Sequence, residues 1–327
     1  MARGELMKKL ITSYGRDDAF RAVVEQIIDE EEHKNNRVLA RALRTSLERL
    51  GDNAAPARPS KLLPFPDEAR DFIQRVEQKR SFADLMLSEE NTELFAEIVR
   101  EFRQADRLRR HGLDLRTKLM FCGPPGTGKT ICAEAFAGEL GLPFFHVRLD
   151  SLVSSYLGET ASNIRKTFEF ARRQPCVLFF DEFDALARSR EDAGESGELR
   201  RVVNSLLMFI EQIEPGGFLI AATNLADQLD PAVWRRFDEV VWFDLPGRDM
   251  IEAYLRRAFR NVKAEFDPAD YAAALDGVSY AELERIAVGA IRRSTVDGAR
   301  GVSTRHLAAA LRNADRRRAR AATTDER

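Results

Sequence analysis

The sequence predicts an α/β fold: a parallel sheet with helices on both faces, followed by a small all-helical domain and preceded by another. Three observations carry this. Between residues 81 and 245 short, continuous apolar runs alternate with amphipathic helical segments, the pattern of parallel strands buried on both faces. After Pro246 the strand-length runs stop while helical periodicity continues. Before residue 51 the spacing is helical throughout.

In the first 50 residues Phe20, Val23, Val24, Ile27 and Ile28 recur at helical spacing, and Val38, Leu39, Ala42, Leu43, Leu47 and Leu50 repeat the pattern. Asp17 is placed to cap the first of these helices, and Glu30-Glu31-Glu32 reads as a solvated face. This small helical domain, 1–50, carries no catalytic constellation and reads as a recruitment module. Residues 51–80 read as a linker: Gly51 stops the preceding helix, Pro56, Pro59, Pro64 and Pro66 prevent another, and 67–80 are expected to form a short polar helix. The α/β domain, 81–245, is read as helix 91–104, strand 119–122, a helix after Thr130, strand 144–147, helix 162–173, strand 176–180, helix 199–213, and strands 218–222 and 240–243. A helical lid domain, 246–315, contains a helix around Tyr254 and Leu255, a second opened by a Ser279/Glu282 capping box, and a third capped by Ser303. Residues 316–327 read as a basic, frayed tail.

Composition excludes several classes. The net charge of −2 gives no whole-chain argument for nucleic acid. The three cysteines, Cys122, Cys132 and Cys176, have no disulfide or zinc spacing and read as reduced, buried thiols. No apolar run reaches the ~18 residues of a membrane span, and the N-terminus lacks a signal peptide, so a cytoplasmic location is expected. With 21 Phe against 2 Trp, the core is expected to lean on phenylalanine.

The chemistry starts at Gly123-Pro124-Pro125-Gly126-Thr127-Gly128-Lys129-Thr130, a complete phosphate loop between an apolar strand and a helix. Glycines let backbone N–H groups converge on phosphate oxygens, and the helix N-terminus adds its positive end. Lys129 supplies a point charge to the β- and γ-phosphates, and the Thr130 hydroxyl can bind Mg²⁺. Asp181 and Glu182 end the strand 176–180: Asp181 would hold Mg²⁺ or its waters, and Glu182 would polarise the attacking water. Asp184 reads only as part of an acidic stretch. Asn224, at the end of strand 218–222, is placed to position that water.

These motifs resemble the AAA+ ATPases, specifically the classical AAA clade, over residues 81–312. The likeness rests on the phosphate loop at 123–130, on the run Phe179–Leu186, and on the strand end Ala222-Thr223-Asn224 followed by Leu229–Asp238. The family implies a five-stranded parallel core, a helical lid, and a homo-oligomeric ring, usually a hexamer, with ATP between protomers. It implies an arginine finger from the neighbour, matched here by Arg235 and Arg236; the Pro-Gly that usually separates the two arginines is missing. Tyr156, Leu157 and Gly158 match the pore loop that grips a polypeptide, with residues 191–198 where a second pore loop would lie. Ala281 matches the clade's alanine at the lid sensor position, whereas Tyr280 and Leu87 replace family glycines near the expected adenine pocket. The resemblance implies an ATP-driven motor that unfolds, threads or remodels proteins, with a separately encoded protease or adaptor as a candidate partner of the N-terminal domain. The alternatives are a nucleic-acid-associated loader, supported only by the arginine-rich tail, and a nucleotide-gated scaffold.

Overall fold

The computed structural model describes residues 72–149, 157–184, 197–213 and 216–325. The N-terminal helical domain, most of the linker, Tyr156 and the segment 191–196 lie outside the described residues. The chain divides into two compact units, one of residues 1–62 with 98–115 and one of 63–97 with 116–327. Of the first, the described part is the end of helix α1 (Glu89–Arg103) and helix α2 (Ala105–Arg110).

The second unit is built on a six-stranded sheet. Its strands are β1 (Ile73–Val76), β2 (Lys118–Cys122), β3 (Phe144–Val147), β4 (Val177–Phe180), β5 (Phe218–Thr223) and β6 (Glu239–Trp242), in the spatial order β1-β3-β4-β5-β2-β6. The pairs β3–β4, β4–β5, β5–β2 and β2–β6 are parallel, which makes the expected five-stranded parallel core. Every residue of β4 and β5 is buried, as strands covered on both faces must be.

β1 departs from the polar helix expected over 67–80. Ile73–Val76 pairs antiparallel with β3 in the register Ile73↔Val147, and the Phe72 carbonyl accepts from the Arg148 N–H at 2.9 Å. The edge of β3 offers a row of backbone donors and acceptors that needs a partner. That long-range demand outweighs the local helical spacing, and Phe72 and Ile73 are buried as a result.

Helices α3 (Lys129–Leu140), α4 (Leu157–Arg173) and α5 (Gly197–Gln212) connect the strands. The core is phenylalanine-rich, as its composition suggests. Phe136 packs edge-on against Phe218 at 4.9 Å, Phe145 against Phe170 at 4.9 Å and Phe95 against Phe121 at 5.7 Å. Each such ring contributes about 2–3 kcal/mol by burial alone. All three cysteines are buried free thiols; burial pushes Cys122 and Cys176 up to about 12, so neither is a thiolate at neutral pH.

After the one-turn helix α6 (Pro231–Trp234) and β6, the chain is helical: α7 (Arg248–Ala258), the short α8 (Ala269–Ala272), α9 (Tyr280–Val296) and α10 (Thr304–Asp325). Their own core is formed by Ile251, Leu255, Leu275, Leu283, Ile286, Ala290, Leu307 and their neighbours. Ser279 is the N-cap of α9, but its side chain makes no capping bond. The Glu282 carboxylate instead accepts from Arg318 Nε at 2.8 Å, so the expected capping box is replaced by a tie to α10. At the start of α10, His306 Nδ1 accepts from the Ser303 N–H at 3.1 Å, and its Nε2 lies 3.2 Å from Asp297. The arginines expected in a frayed tail sit on α10, which runs without interruption to Asp325.

Candidate functional site

Parallel strands deliver their C-terminal ends to one edge of the sheet, and the chemistry collects there. β2 runs into Gly123, β4 into Asp181 and β5 into Thr223, and β5 lies between the other two.

The phosphate loop turns tightly because two of its glycines are obligatory. A Cβ on Gly123, at φ +146°, would lie 2.1 Å from the Phe243 carbonyl oxygen. One on Gly126, at φ +78°, would lie 2.8 Å from Ser279 Oγ and 3.0 Å from the Ala281 Cβ. Within the turn, Lys129 is buried and its ammonium donates to the Gly123 and Pro124 carbonyls at 2.7 and 2.8 Å. Burial holds the Lys129 ammonium below its ordinary range, and the Asp181 and Asp184 carboxylates pull the other way. Thr127 is buried, and its hydroxyl also donates to the Pro124 carbonyl. Pro125 stands exposed, and Gly128 is the N-cap of α3.

Thr130, one residue beyond Lys129, donates its hydroxyl to Asp181 Oδ2 at 2.9 Å. The second oxygen, Oδ1, accepts from the Glu182 N–H at 2.9 Å. Glu182 has φ +52°, the one positive value on a non-glycine residue among the described residues. Backbone strain of this kind persists only where the surroundings impose it. Here the next residue imposes it: the Phe183 N–H donates to the Ala222 carbonyl of β5 at 2.8 Å, and its ring is buried edge-on against Phe237. Phe183 is thus anchored inward, and Glu182 is left exposed beside Asp181.

Asp184 does more than its sequence context suggests. It is buried, and its Oδ1 accepts from the Thr223 hydroxyl at 3.1 Å and from the Asn224 N–H at 3.2 Å. Thr223 Oγ1 accepts in turn from the Leu225 N–H at 3.0 Å. One carboxylate therefore ties the acidic turn after β4 to the end of β5 that presents Asn224. A signal was available: an acid three residues beyond a strand-ending acid falls in the turn that faces the adjacent strand end.

Arg235 and Arg236 differ. Arg235 ends α6 and is exposed, with no side-chain hydrogen bond or ion pair among the described residues. Arg236 is half-buried; its guanidinium donates to the Ala232 carbonyl and lies 3.3 Å from Glu211 at the end of α5. Its Nε is buried without a partner.

Ala281 joins the lid to the phosphate loop: its N–H donates to the Gly126 carbonyl at 3.0 Å. Tyr280, beside it, packs within the lid, 5.9 Å from the Tyr254 ring and with its hydroxyl on Met250 Sδ. Leu87 is half-buried at the end of a loop that Arg257 of α7 holds by the Asp84 carbonyl at 2.6 Å. Leu157 and Gly158 open α4; Tyr156 precedes the described residues.

Comparison with known proteins fits this arrangement. Residues 119–245 match the family described as ATPases associated with various cellular activities. Over 321 residues the chain is 60% identical to an uncharacterized AAA family ATPase, y4kL, of Sinorhizobium fredii, covering 98% of this chain and 97% of that one. It is 37% identical over 222 residues to the ATP-dependent zinc metalloprotease FtsH 3 of Sphaerobacter thermophilus, and 40% over 154 residues to the peroxisomal ATPase PEX6 of Kluyveromyces lactis. It spans 45% of the first and 15% of the second. The chain belongs to the AAA ATPase family. It is an ATPase, with ATP as its nucleotide and Mg²⁺ as the usual accompanying ion. The residues fit that pair: a glycine cradle with a buried ammonium suits phosphates, and the Thr130 hydroxyl with the Asp181 carboxylate offers the hard oxygens that magnesium takes. No described helix is long and apolar enough to cross a membrane.

Proposed function

We propose that this chain is a ring-forming AAA motor that couples ATP hydrolysis to unfolding, threading or remodelling of protein substrates, with a hexamer as the assembly. The observation that carries the ATPase site is the linked set at the sheet edge: Thr130 on Asp181, Glu182 turned outward, and Asp184 holding the Asn224 backbone. Gly123–Thr130 cradle the phosphates, and Lys129 trades its two loop carbonyls for phosphate oxygens. Thr130 and Asp181 would hold magnesium, which would neutralise phosphate charge. Glu182 polarises the attacking water and Asn224 positions it. Arg235 is the finger offered to the neighbouring protomer, because its guanidinium is unengaged; Arg236 braces α6 against α5.

The name of one relative, an ATP-dependent zinc metalloprotease, supports protein rather than nucleic acid as the substrate class. The motor reading rests on Tyr156, Leu157 and Gly158 as the pore loop. A protease or adaptor bound by the N-terminal domain, and a cytoplasmic location, complete the proposal. The test is Tyr156→Ala measured for ring size, melting temperature, basal ATPase and substrate-stimulated unfolding. The expected result is loss of stimulation and unfolding with the first three intact, and retention of most function in Tyr156→Phe. A destabilised, unassembled Tyr156→Ala would instead mark a core residue and remove the threading argument.

A further inference from the structure

The face of the lid away from its core carries a groove that the ATPase reading does not use. It lies between α9 and α10 and has a volume of about 520 Å³. On α9, Arg285, Val288, Arg292 and Val296 follow one another at spacings of three and four residues, so they stand in a single row along the helix. Leu283, Ile286, Ala287 and Ala290 bury the opposite stripe. Both valines are exposed, Val288 at 47% and Val296 at 80%. At its floor the two helices meet closely: a Cβ on Gly289 would lie 3.6 Å from the Ala310 Cβ. Arg293 and, from α10, Arg317 complete its walls.

The charge of this groove is unbalanced. Its carboxylate, Asp297, is already engaged by His306 at 3.2 Å. Next to the groove, Arg318 has Glu282 and Asp315 as partners. Among the described residues Arg285, Arg292 and Arg293 have no ion pair, and Arg317 gives only its Nε to the Asn313 carbonyl. Four guanidinium groups thus line a slot floored by aliphatic carbon.

We propose that this groove docks an acidic, amphipathic helical segment of a partner protein. Arg285 and Arg292 are seven residues apart, about 10 Å along the helix. That separation matches carboxylates spaced along a second helix. Guanidinium groups recognise carboxylates in a bidentate fashion, and aliphatic residues of the same segment cover Val288 and Val296. Single-stranded nucleic acid fits less well: the lining holds no aromatic side chain on which a base could stack.

The probe is a fluorescein-labelled helical peptide of about 14 residues with Glu and Leu alternating at three- and four-residue spacing, titrated by anisotropy into the full chain at ~0.15 M salt. Controls replace every Glu by Gln or by Lys, and single-stranded oligo-dT competes. The acidic peptide is expected to bind, the Gln peptide not. Arg285→Glu/Arg292→Glu should weaken binding at least about tenfold and begin to bind the Lys peptide, with melting temperature and ATPase unchanged. Val288→Ser/Val296→Ser should weaken it without that charge reversal. Four results would overturn the proposal: no binding of the acidic peptide, binding indifferent to both double variants, oligo-dT displacing the peptide at lower concentration than unlabelled peptide does, or a change of ring size in Arg285→Glu/Arg292→Glu that makes the groove a contact between copies.

Discussion

Asp184 offers the sharpest test of how the site is held together. In Asp184→Ala the hydroxyl of Thr223, a residue only 1% exposed, and the Asn224 N–H both lose their acceptor. A buried donor without an acceptor costs about 1–3 kcal/mol; the half-buried Asn224 N–H can recruit water, so the total should be about 2–3 kcal/mol. For a unit of this size that lowers the melting temperature by roughly 4–10 °C. The catalytic effect should be larger than the structural one. With its backbone released, Asn224 is no longer fixed relative to Glu182, and misplacement of this kind costs on the order of 100-fold in kcat. The KM for ATP should change little, since Gly123–Thr130 are not touched. Asp184→Asn keeps an acceptor of the same shape and should recover most of both losses. Thr223→Val removes the hydroxyl's bond to Asp184 together with its acceptance of the Leu225 N–H, and in a double-mutant cycle with Asp184→Ala, which cancels the Leu225 part, the coupling should be about 1–2 kcal/mol. Thermal and urea melts and steady-state ATPase on wild type and these four variants suffice. A coupling below about 0.5 kcal/mol, or a folded Asp184→Ala with near-normal kcat, would return Asp184 to the role of a surface acid and refute the positioning argument.

Two further outcomes are expected. Glu182→Gln should bind ATP normally and hydrolyse it ~10²–10⁴-fold more slowly, since an amide of the same shape cannot polarise water; turnover within a few-fold of wild type would exclude Glu182 as the base. Arg235→Ala should fold normally yet lack ATPase alone, and regain part of it when mixed with Lys129→Ala protomers, whereas Arg236→Ala should lower the melting temperature by a few degrees, about 1 kcal/mol at this size. Silent mixtures with demonstrated co-assembly would leave the finger without support.

Most of the α/β framework was legible because its signals are local. Four-to-six-residue apolar runs such as Val177–Phe180 and Phe218–Thr223 bury both faces, so sequence alone marks them as central strands. The phosphate loop was legible for the same reason: eight consecutive residues form it. What escaped depends on distant partners. Ile73–Val76 is a strand because β3 needs an edge partner, a fact written some seventy residues away. Asp184 reads only as part of an acidic stretch because its partners, Thr223 and Asn224, arrive from another strand about forty residues on. Glu282 had the spacing of a capping box, and only the packing of α10 reveals Arg318 as its competitor. The two adjacent arginines were indistinguishable in sequence; Glu211 and the Ala232 carbonyl separate them.

The bond from the Ala281 N–H to the Gly126 carbonyl has a mechanical meaning. Ala281 is the second residue of α9, a 17-residue helix and hence a rod about 25 Å long. One end of that rod is fastened to the glycine-rich loop by backbone atoms that no substitution short of proline at 281 removes. The other end carries Arg292 and Val296. A lever clamped at its short arm magnifies what happens there: a tilt of about 5° imposed at Gly126 moves the far end of α9 by ~2 Å. Ser279 and Ala281 stand against Gly126 where a side chain would be, so the start of α9 packs directly on the loop. A shift of this loop is therefore expected to reach the opposite end of the lid through α9.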